Sequence, residues 1–296
     1  MIDLHTHSTA SDGSLTPAGL VEKAALAGLN TLALTDHDTL AGLEEAEKAA
    51  RNQGISFIPG VELEIQTPGS FSSPPAGEFH LLGLGITMPT AEFLDTLRYL
   101  AETRERRNHK MVEKMKEAGI EVHYDDIRAF AGGAGLSPAS RVSPLVGRPH
   151  FGAFLVSRRL AKNQEQAFRR WLGRGRPFYV PREGLDFEKA VRLIHESGGA
   201  AVLAHPMSLY VSWGRLPAFL ETLKEKGLDG LEAWHPTAGV KDCKRLEETG
   251  RNLELCITAG SDFHGSARPD RRLGYTSGNR KIEDRFMEEL KANIRP

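Results

Sequence analysis

Cysteine is scarce: Cys243 and Cys256 are the only two in 296 residues. Two thiols in a chain this long build no disulfide framework, and no spacing suggests a zinc ribbon. The cytosol is therefore the expected compartment. Long apolar runs are also missing. No uninterrupted stretch of about 18 apolar residues occurs, so no membrane span is expected. The opening MIDLHTHS has neither a basic n-region nor an apolar h-region, so no signal peptide is expected. Net charge is nearly absent at -1, which names no partner. There is no internal repeat, and SFSSPP at 70–75 is the one low-complexity stretch.

What is present is apolar content of 40%, enough for a core, and a length that suits one barrel-sized domain or a core with an insertion. The charge is segregated. Residues 87–182 carry 18 Lys and Arg against 10 Asp and Glu, or +8, which leaves 20 against 29, or -9, for the remainder. A basic segment beside a catalytic site suits an anionic substrate. The plainer alternative is a helical surface rich in arginine.

The first 86 residues alternate strand and helix. Strands are expected at Ile2–His5, Thr31–Thr35, Ile55–Val61 (interrupted by Pro59-Gly60) and Phe79–Ile86. Thr16 caps a helix with Pro17 at its first position, ending near Gly28. A second helix spans Leu40–Gln53 and stops at Gly54, with Asp38 as its expected cap. The pattern then changes. Thr90–Ala118 reads as one long helix, with shorter pieces near 125–131, 150–161 and 163–173, punctuated by AGGAGLSP and GRGRP. Alternation resumes with helices at Phe187–Ser197, Leu216–Lys226, Val240–Thr249 and 281–293, and strands at Ala200–Ala204, Gly230–Ala233 and Leu255–Ala259. The expected fold is α/β: seven parallel strands in a distorted (β/α)7 barrel from residues 1–86 and 183–296, with a mostly helical inserted cap at 87–182.

Polar residues gather at strand C-terminal ends. His5 and His7 follow the first strand, Asp36-His37-Asp38 the second, Glu62 the third, His205 the fifth, and Asp262 and His264 the last. In a (β/α) barrel these ends converge on one face, where active sites are built. His80 is the exception, at the start of its strand. His-x-His on extended chain puts both rings on one side, where they can share an ion. Mixed imidazole and carboxylate ligands suit Zn, Mn or Fe, and Asp12, Glu62 and Asp262 supply the negative charge that several ions need. Taken singly, each histidine reads as a solvated or hydrogen-bonded side chain, and Asp36 or Asp38 as a turn or helix cap. The joint pattern points to metal. His109, His123 and His195 fall outside it, the last near a helix C-terminus where positive charge suits the dipole.

Asp3-Leu4-His5-Thr6-His7-Ser8 with Ser11-Asp12-Gly13, then Leu34-Thr35-Asp36-His37-Asp38, resembles the opening of the PHP (polymerase and histidinol phosphatase) superfamily. Gly60-Val61-Glu62, His80-Leu81-Leu82-Gly83, Ala204-His205-Pro206 and Ser261-Asp262-Phe263-His264-Gly265 continue the likeness in order. Gly147-Arg148-Pro149-His150-Phe151 resembles the RPH element of the stand-alone phosphoesterases, a branch with nucleotide phosphatases and 5′-to-3′ exoribonucleases. The resemblance implies two or three divalent ions (Mn²⁺, Zn²⁺ or Fe²⁺). His5, His7, Glu62 and Asp262 would hold the first. Glu62, His80 and His205 would hold the second, and Asp12, His37 and His264 the third. Many members carry histidine where this chain has Asp12, which still ligates but as a harder ligand either weakens the third site or favours Mn over Zn.

On this reading two ions about 3.5–4 Å apart share a hydroxide that attacks phosphorus in line. The third ion at Asp12, with Arg148 and Arg268, neutralises the non-bridging oxygens, because the arginine fork matches phosphate. Each arginine also reads as an ordinary surface residue. His150 either binds substrate or orders the insertion, and Glu232 and His235 are candidates to support the ligands. The expected partner is a small phosphorylated substrate: 5′-AMP, a nucleoside 3′,5′-bisphosphate or a short RNA 5′ end, with no membrane and no obligate protein partner. Histidinol phosphate is the alternative substrate. A metal-dependent amidohydrolase is ranked below both, since no lysine stands near His80. A non-catalytic PHP module is the alternative of a different class.

Overall fold

The computed structural model describes residues 1–66, 75–131 and 145–294. Most of SFSSPP and of AGGAGLSP lies outside the described residues. Seven strands lie in one sheet in chain order: β1 (Ile2–Asp3), β2 (Thr31–Leu34), β3 (Ser56–Glu64), β4 (His80–Leu84), β5 (Ala200–Leu203), β6 (Gly230–Trp234) and β7 (Cys256–Ala259). Every residue of β2, β4, β5, β6 and β7 is buried, as expected of strands covered on both faces. The sheet curls until its ends nearly meet. Thr6 bridges to Phe263, His7 N donates to Phe263 O at 2.9 Å, and Asp262 N donates to His5 O at 2.9 Å. The result is a nearly closed, distorted barrel with helices outside. Among the described residues no helix is long and apolar enough to cross a membrane.

The strands are not all parallel, which corrects the expectation from alternation. β4 runs antiparallel to both β3 and β5, while the other neighbours are parallel. A parallel return needs a crossover, usually a helix. No helix occurs among the described residues between Glu64 and His80. β3 also passes through Pro59-Gly60 without a break. Residues 56–59 pair with β2 and residues 60–64 with β4, so proline falls at the handover between partners. A side chain on Gly60 would press on the carbonyl of Gly83.

Helix α1 (Pro17–Leu26) starts as its sequence dictates, with Thr16 Oγ1 accepting from Gly19 N at 3.0 Å. Helix α2 (Leu43–Gln53) begins three residues later than expected, and Asp38 does not cap it. Asp38 is instead left-handed at φ 52°, accepts from Glu64 N at 3.2 Å and pairs with Arg104 and Arg182. Helix α3 (Ala91–Glu117) leaves the floor of the barrel, where Thr90 N donates to Ser197 Oγ. At about 1.5 Å per residue, thirteen residues carry it roughly 20 Å to the mouth, where Arg104 meets Asp38. Helices α4 (Tyr124–Ala131), α5 (Arg148–Ser157), α6 (Gln164–Ala167) and a π-helical turn (Phe168–Leu172) follow. They share a core of their own, including Met111, Phe151, Phe154, Leu155, Leu172 and Phe178, separate from the barrel core. Outside the barrel pack α7 (Phe187–Glu196), α8 (Leu216–Glu225), α9 (Val240–Asn252) and α10 (Arg285–Lys291). A short hairpin, β8 (Tyr275–Thr276) and β9 (Arg280–Lys281), replaces the start expected for the last helix.

Candidate metal centre and pocket

Beyond β1 the chain stays extended, so successive side chains alternate. Thr6 points away and its hydroxyl donates to Ala33 O, while His5 and His7 turn inward, their Nε2 atoms 3.1 Å apart. The next loop is pinned by Asp36, whose carboxylate accepts from Ser8 N at 2.8 Å and from the hydroxyls of Ser8 and Ser11 at 2.6 Å each. Asp36 is therefore neither a turn residue nor a cap. It holds the loop that delivers Asp12.

The reversed β4 accounts for His80. At the start of an antiparallel strand it lies level with the ends of its parallel neighbours, opposite Glu64. All nine residues singled out in the sequence meet at the mouth. His5 Nε2 and His7 Nε2 lie 3.5 and 3.3 Å from Glu62 Oε2, and 3.6 and 3.4 Å from Asp262 Oδ1. Glu62 Oε1 lies 2.8 Å from His80 Nδ1 and 2.9 Å from His205 Nε2, which are 3.2 Å from each other. Asp12 Oδ1 lies 3.3 Å from His264 Nε2, and Asp12 Oδ2 lies 3.9 Å from His37 Nε2. Glu62 touches the first two groups through different oxygens, and its Oε2 also lies 3.0 Å from His37 Nδ1.

Most of these rings are oriented from behind. Glu232 Oε1 faces His5 Nδ1 at 3.0 Å, Ser208 Oγ faces His205 Nδ1 at 2.6 Å, and Asp262 O faces His264 Nδ1 at 2.8 Å. Holding one ring nitrogen aims the other at a common point, as support around a metal does. Glu232 Oε2 also accepts from the backbone N of His205, which sits at φ 27°. Asp262 is likewise left-handed at φ 53°. Such conformations cost on the order of 1–3 kcal/mol each and persist where surroundings impose them. His235 Nε2 is buried with no hydrogen-bond partner among the described residues, 3.5 Å from Asp262 Oδ2. Asp3 was not singled out in the sequence. Its buried carboxylate accepts from Ser261 N, Ser261 Oγ and Gly274 N at 2.9, 2.5 and 2.8 Å, and burial lifts it to about 6 despite those donors. It ties β1 to the loop that presents Asp262.

The electrostatics are those of a site built for cations. Burial would raise Glu62, but His37, His80 and His5 hold it well below the usual carboxylate range. Asp12 and Asp262 are held down in the same way by the surrounding histidines. Burial opposes charge on His7, yet the Asp262 and Glu62 carboxylates beside it raise it to about 9. His5 and His80 are also raised well above normal, against burial, by Glu232 with Glu62 and by Glu62 with Glu64. His37 goes the other way, because burial outweighs Glu62 and Asp12.

A divalent ion fits this donor set. Tetrahedral donors about 2.1 Å from zinc stand about 3.4 Å apart, and the spacings among His5, His7, Glu62 and Asp262 run from 3.1 to 3.6 Å. Among the described residues His37 Nδ1 and Glu62 Oε2 are buried without a hydrogen-bond partner although they are close, so neither satisfies the other. Four overlapping groups of three or four donors occur among the described residues, including His5, Glu232 and His235.

Above the donors opens a pocket that faces solvent. Five arginines line it: Arg104, Arg107, Arg148, Arg182 and Arg268. The sequence singled out Arg148 and Arg268. Arg148 pairs with Glu78 at 2.7 Å and lies 5.9 and 6.0 Å from the ring centres of Phe168 and Tyr179. Arg268 is exposed at the rim. His150 Nδ1 accepts from Gly147 N at 2.9 Å and so fixes the start of α5 that carries Arg148. Arg104 and Arg107, not singled out, are buried. Their signal was available: they fall on the apolar register of α3, in line with Phe93, Leu97, Leu100 and Met111. Arg182 joins Glu64 to Asp38. Arg107 has no carboxylate partner among the described residues. Its guanidinium donates to Asn108 Oδ1 at 2.6 and 3.2 Å, and burial with Arg182, Arg104 and Arg148 presses against its charge.

The PHP domain family matches residues 3–132. A 5′-3′ exoribonuclease of Haemophilus influenzae is 35% identical over 262 residues, covering 88% of this chain and 89% of that protein. The chain belongs to the PHP family. A 3′,5′-nucleoside bisphosphate phosphatase of Chromobacterium violaceum is 31% identical over 293 residues, covering 99% of this PHP chain and 97% of that protein. A solved structure from Bifidobacterium adolescentis, provisionally described as a metal-dependent phosphoesterase, superposes with a TM-score of 0.82 at 26% identity, covering all of this chain and 96% of that one. This PHP chain is a metal-dependent phosphoesterase.

Proposed function

We propose that the enzyme hydrolyses phosphomonoesters of nucleotides, with 5′-AMP, nucleoside 3′,5′-bisphosphates and the 5′ end of short RNA as the candidate substrates. The observation that carries this is the pocket's two-pole chemistry. Seven of the nine metal-type donors line its floor, and a buried guanidinium with no carboxylate partner among the described residues, Arg107, stands in its wall beside Arg104. A buried cation lacking an anion is costly, and a second phosphate on the substrate would supply one. Histidinol phosphate and 5′-AMP each have a single phosphate and leave Arg107 unanswered, which favours the bisphosphate and RNA forms of the reading.

In this reading His5, His7, Glu62 and Asp262 hold one ion, Glu62, His80 and His205 a second, and Asp12, His37 and His264 a third. Bound ions supply Lewis-acid stabilisation of phosphoryl oxygens and activation of water. The protein's own groups set the geometry. Glu232, Ser208 and the Asp262 carbonyl hold the rings of His5, His205 and His264 in one tautomer each. Arg148 leaves Glu78 to pair with the substrate phosphoryl group, while Arg268 closes the rim. Segment 87–182 serves as the substrate-binding cap. The relatives named as exoribonuclease and as bisphosphate phosphatase support both the nucleotide and the RNA form of the reading.

The test is a substrate panel with Mn²⁺: 5′-AMP, adenosine 3′,5′-bisphosphate, a 5′-phosphorylated trinucleotide and histidinol phosphate. The expected order puts bisphosphate or RNA first. Histidinol phosphate as the best substrate, or full activity after chelation, overturns the reading.

A further inference from the structure

The rim of the pocket continues into a surface that the reaction at its floor does not use. Between residues 158 and 176 stand seven basic residues against one acid, Glu165. Arg158, Arg159, Lys162, Arg169, Arg170 and Arg176 are all exposed. Some cations elsewhere are matched: Arg192, Arg251, Arg285, Lys224 and Lys226 each pair with a glutamate. None of the ion pairs among the described residues involves the six cations of this band. What sets this band apart is density: seven basic residues and one acid fall within a single short stretch, and such a concentration of one sign suits an external polyanion.

The band is continuous with the pocket. Phe168 lines the pocket, and Arg169 and Arg170 follow it on the same π-helical turn. Such turns are rare and frequent at functional sites. At the band's other edge Arg174 donates to Ala76 O at 2.6 Å, two residues from the pocket residue Glu78. The band also carries an aromatic component. Arg170 lies 5.1 Å from the ring centre of half-buried Trp171, which stacks on Phe178 at 5.0 Å. Cations interleaved with aromatic faces are what a single strand of nucleic acid recognises. None of the large exposed hydrophobic side chains falls in this band, so it offers nothing to insert into a lipid surface.

We propose that residues 158–176 form a docking track for single-stranded oligonucleotide, holding the phosphates that trail behind the terminal nucleotide seated in the pocket. This rests on the nucleotide reading above and sharpens it. Mononucleotides engage the pocket alone, and short RNA engages the pocket and the track. The mode is electrostatic and indifferent to base sequence.

The experiment uses the full-length enzyme and the quadruple variant Arg158→Glu, Arg159→Glu, Arg169→Glu, Arg170→Glu. Binding of a fluorescent five-nucleotide RNA lacking a 5′ phosphate is followed by anisotropy across a salt series. KM is measured for 5′-AMP and for the same RNA carrying a 5′ phosphate. In the unaltered enzyme, four contacts give a log–log salt slope of about -3. The variant is expected to lose at least tenfold in RNA affinity and most of that slope, with KM for 5′-AMP within about twofold. Equal RNA binding by both proteins overturns the track. So does binding of phosphatidylserine vesicles in place of RNA, or an equal rise in KM for both substrates. If neither substrate is hydrolysed, the nucleotide reading fails, while the anisotropy arm still decides the track.

Discussion

Glu232 shows how one residue sets the quality of a site without facing its centre. One carboxylate oxygen takes the His5 ring proton and the other takes the backbone proton of His205. It therefore fixes one side chain by tautomer and another by backbone, the second in a conformation that an L-residue resists. Glu232→Ala is expected to weaken metal binding about 10–100-fold, as loss of such support does, with the fold kept. Glu232→Gln retains one acceptor and should fall between. Competition titration with a chromophoric chelator reads both, and equal affinities for all three proteins would remove Glu232 from this role. At the same scale, His7→Ala and Glu62→Ala should fold yet lose bound metal and activity, Glu62 the more severely because it touches three histidine groups.

The residues that strand ends present were readable in sequence, because alternation on an extended segment fixes which way a side chain points. Glu232 and His235 were visible as polar residues at a strand end, but the ring that Glu232 orients, His5, lies 227 residues away in the chain. Asp3 lies inside β1, where position alone suggests nothing. Its partners Ser261 and Gly274 come from the opposite end of the sequence.

Among the elements, β4 and α3 decide the shape of the pocket. Strand-helix alternation made the parallel core legible. It could not reveal β4's reversal, which follows from a connection that carries no helix among the described residues. Its consequence is local, since only a reversed strand brings the first residue, His80, to the mouth. The helical insertion was legible from the change of periodicity, and its net charge and Arg148 pointed to an anionic substrate, but Arg104 and Arg107 were not singled out. On α3 the register places Arg104 and Arg107 where a packing helix would carry leucine. Replacing a buried, poorly answered charge with an apolar side chain of similar length often stabilises by about 1–4 kcal/mol. Arg107→Met is accordingly expected to raise the melting temperature by several degrees. It should also lower kcat/KM for adenosine 3′,5′-bisphosphate about 100-fold, with a smaller loss for 5′-AMP. A variant that is less stable, or that loses equally on both substrates, would show that Arg107 holds the fold and not a phosphate.

For the molecule as a whole, the proposed metal site makes protons and metal ions competitors for one cluster that joins the two ends of the barrel sheet. In the metal-free protein His7 is held at about 9, against about 6.5 unfolded. A raised folded value contributes stability that is fully present below 6.5 and disappears as pH climbs through 9. For His7 that is on the order of 3 kcal/mol, and His5 and His80 act in the same direction. Glu62, Asp12 and Asp262 are depressed, so their contribution is present above the usual carboxylate range and is lost on acidification. The metal-free protein should therefore be most stable between about pH 4.5 and 6.5 and weaken toward pH 9. Ions that take the place of those protons bind more tightly as pH rises, so the loaded protein should not weaken over the same range. Melting curves of chelated and Mn²⁺-loaded protein at pH 6, 7.5 and 9 should thus diverge with pH, and metal addition at pH 7 should release protons. Parallel curves with no proton release would mean that the cluster is a hydrogen-bonded histidine core, and the metal chemistry would have to be sought elsewhere in the chain.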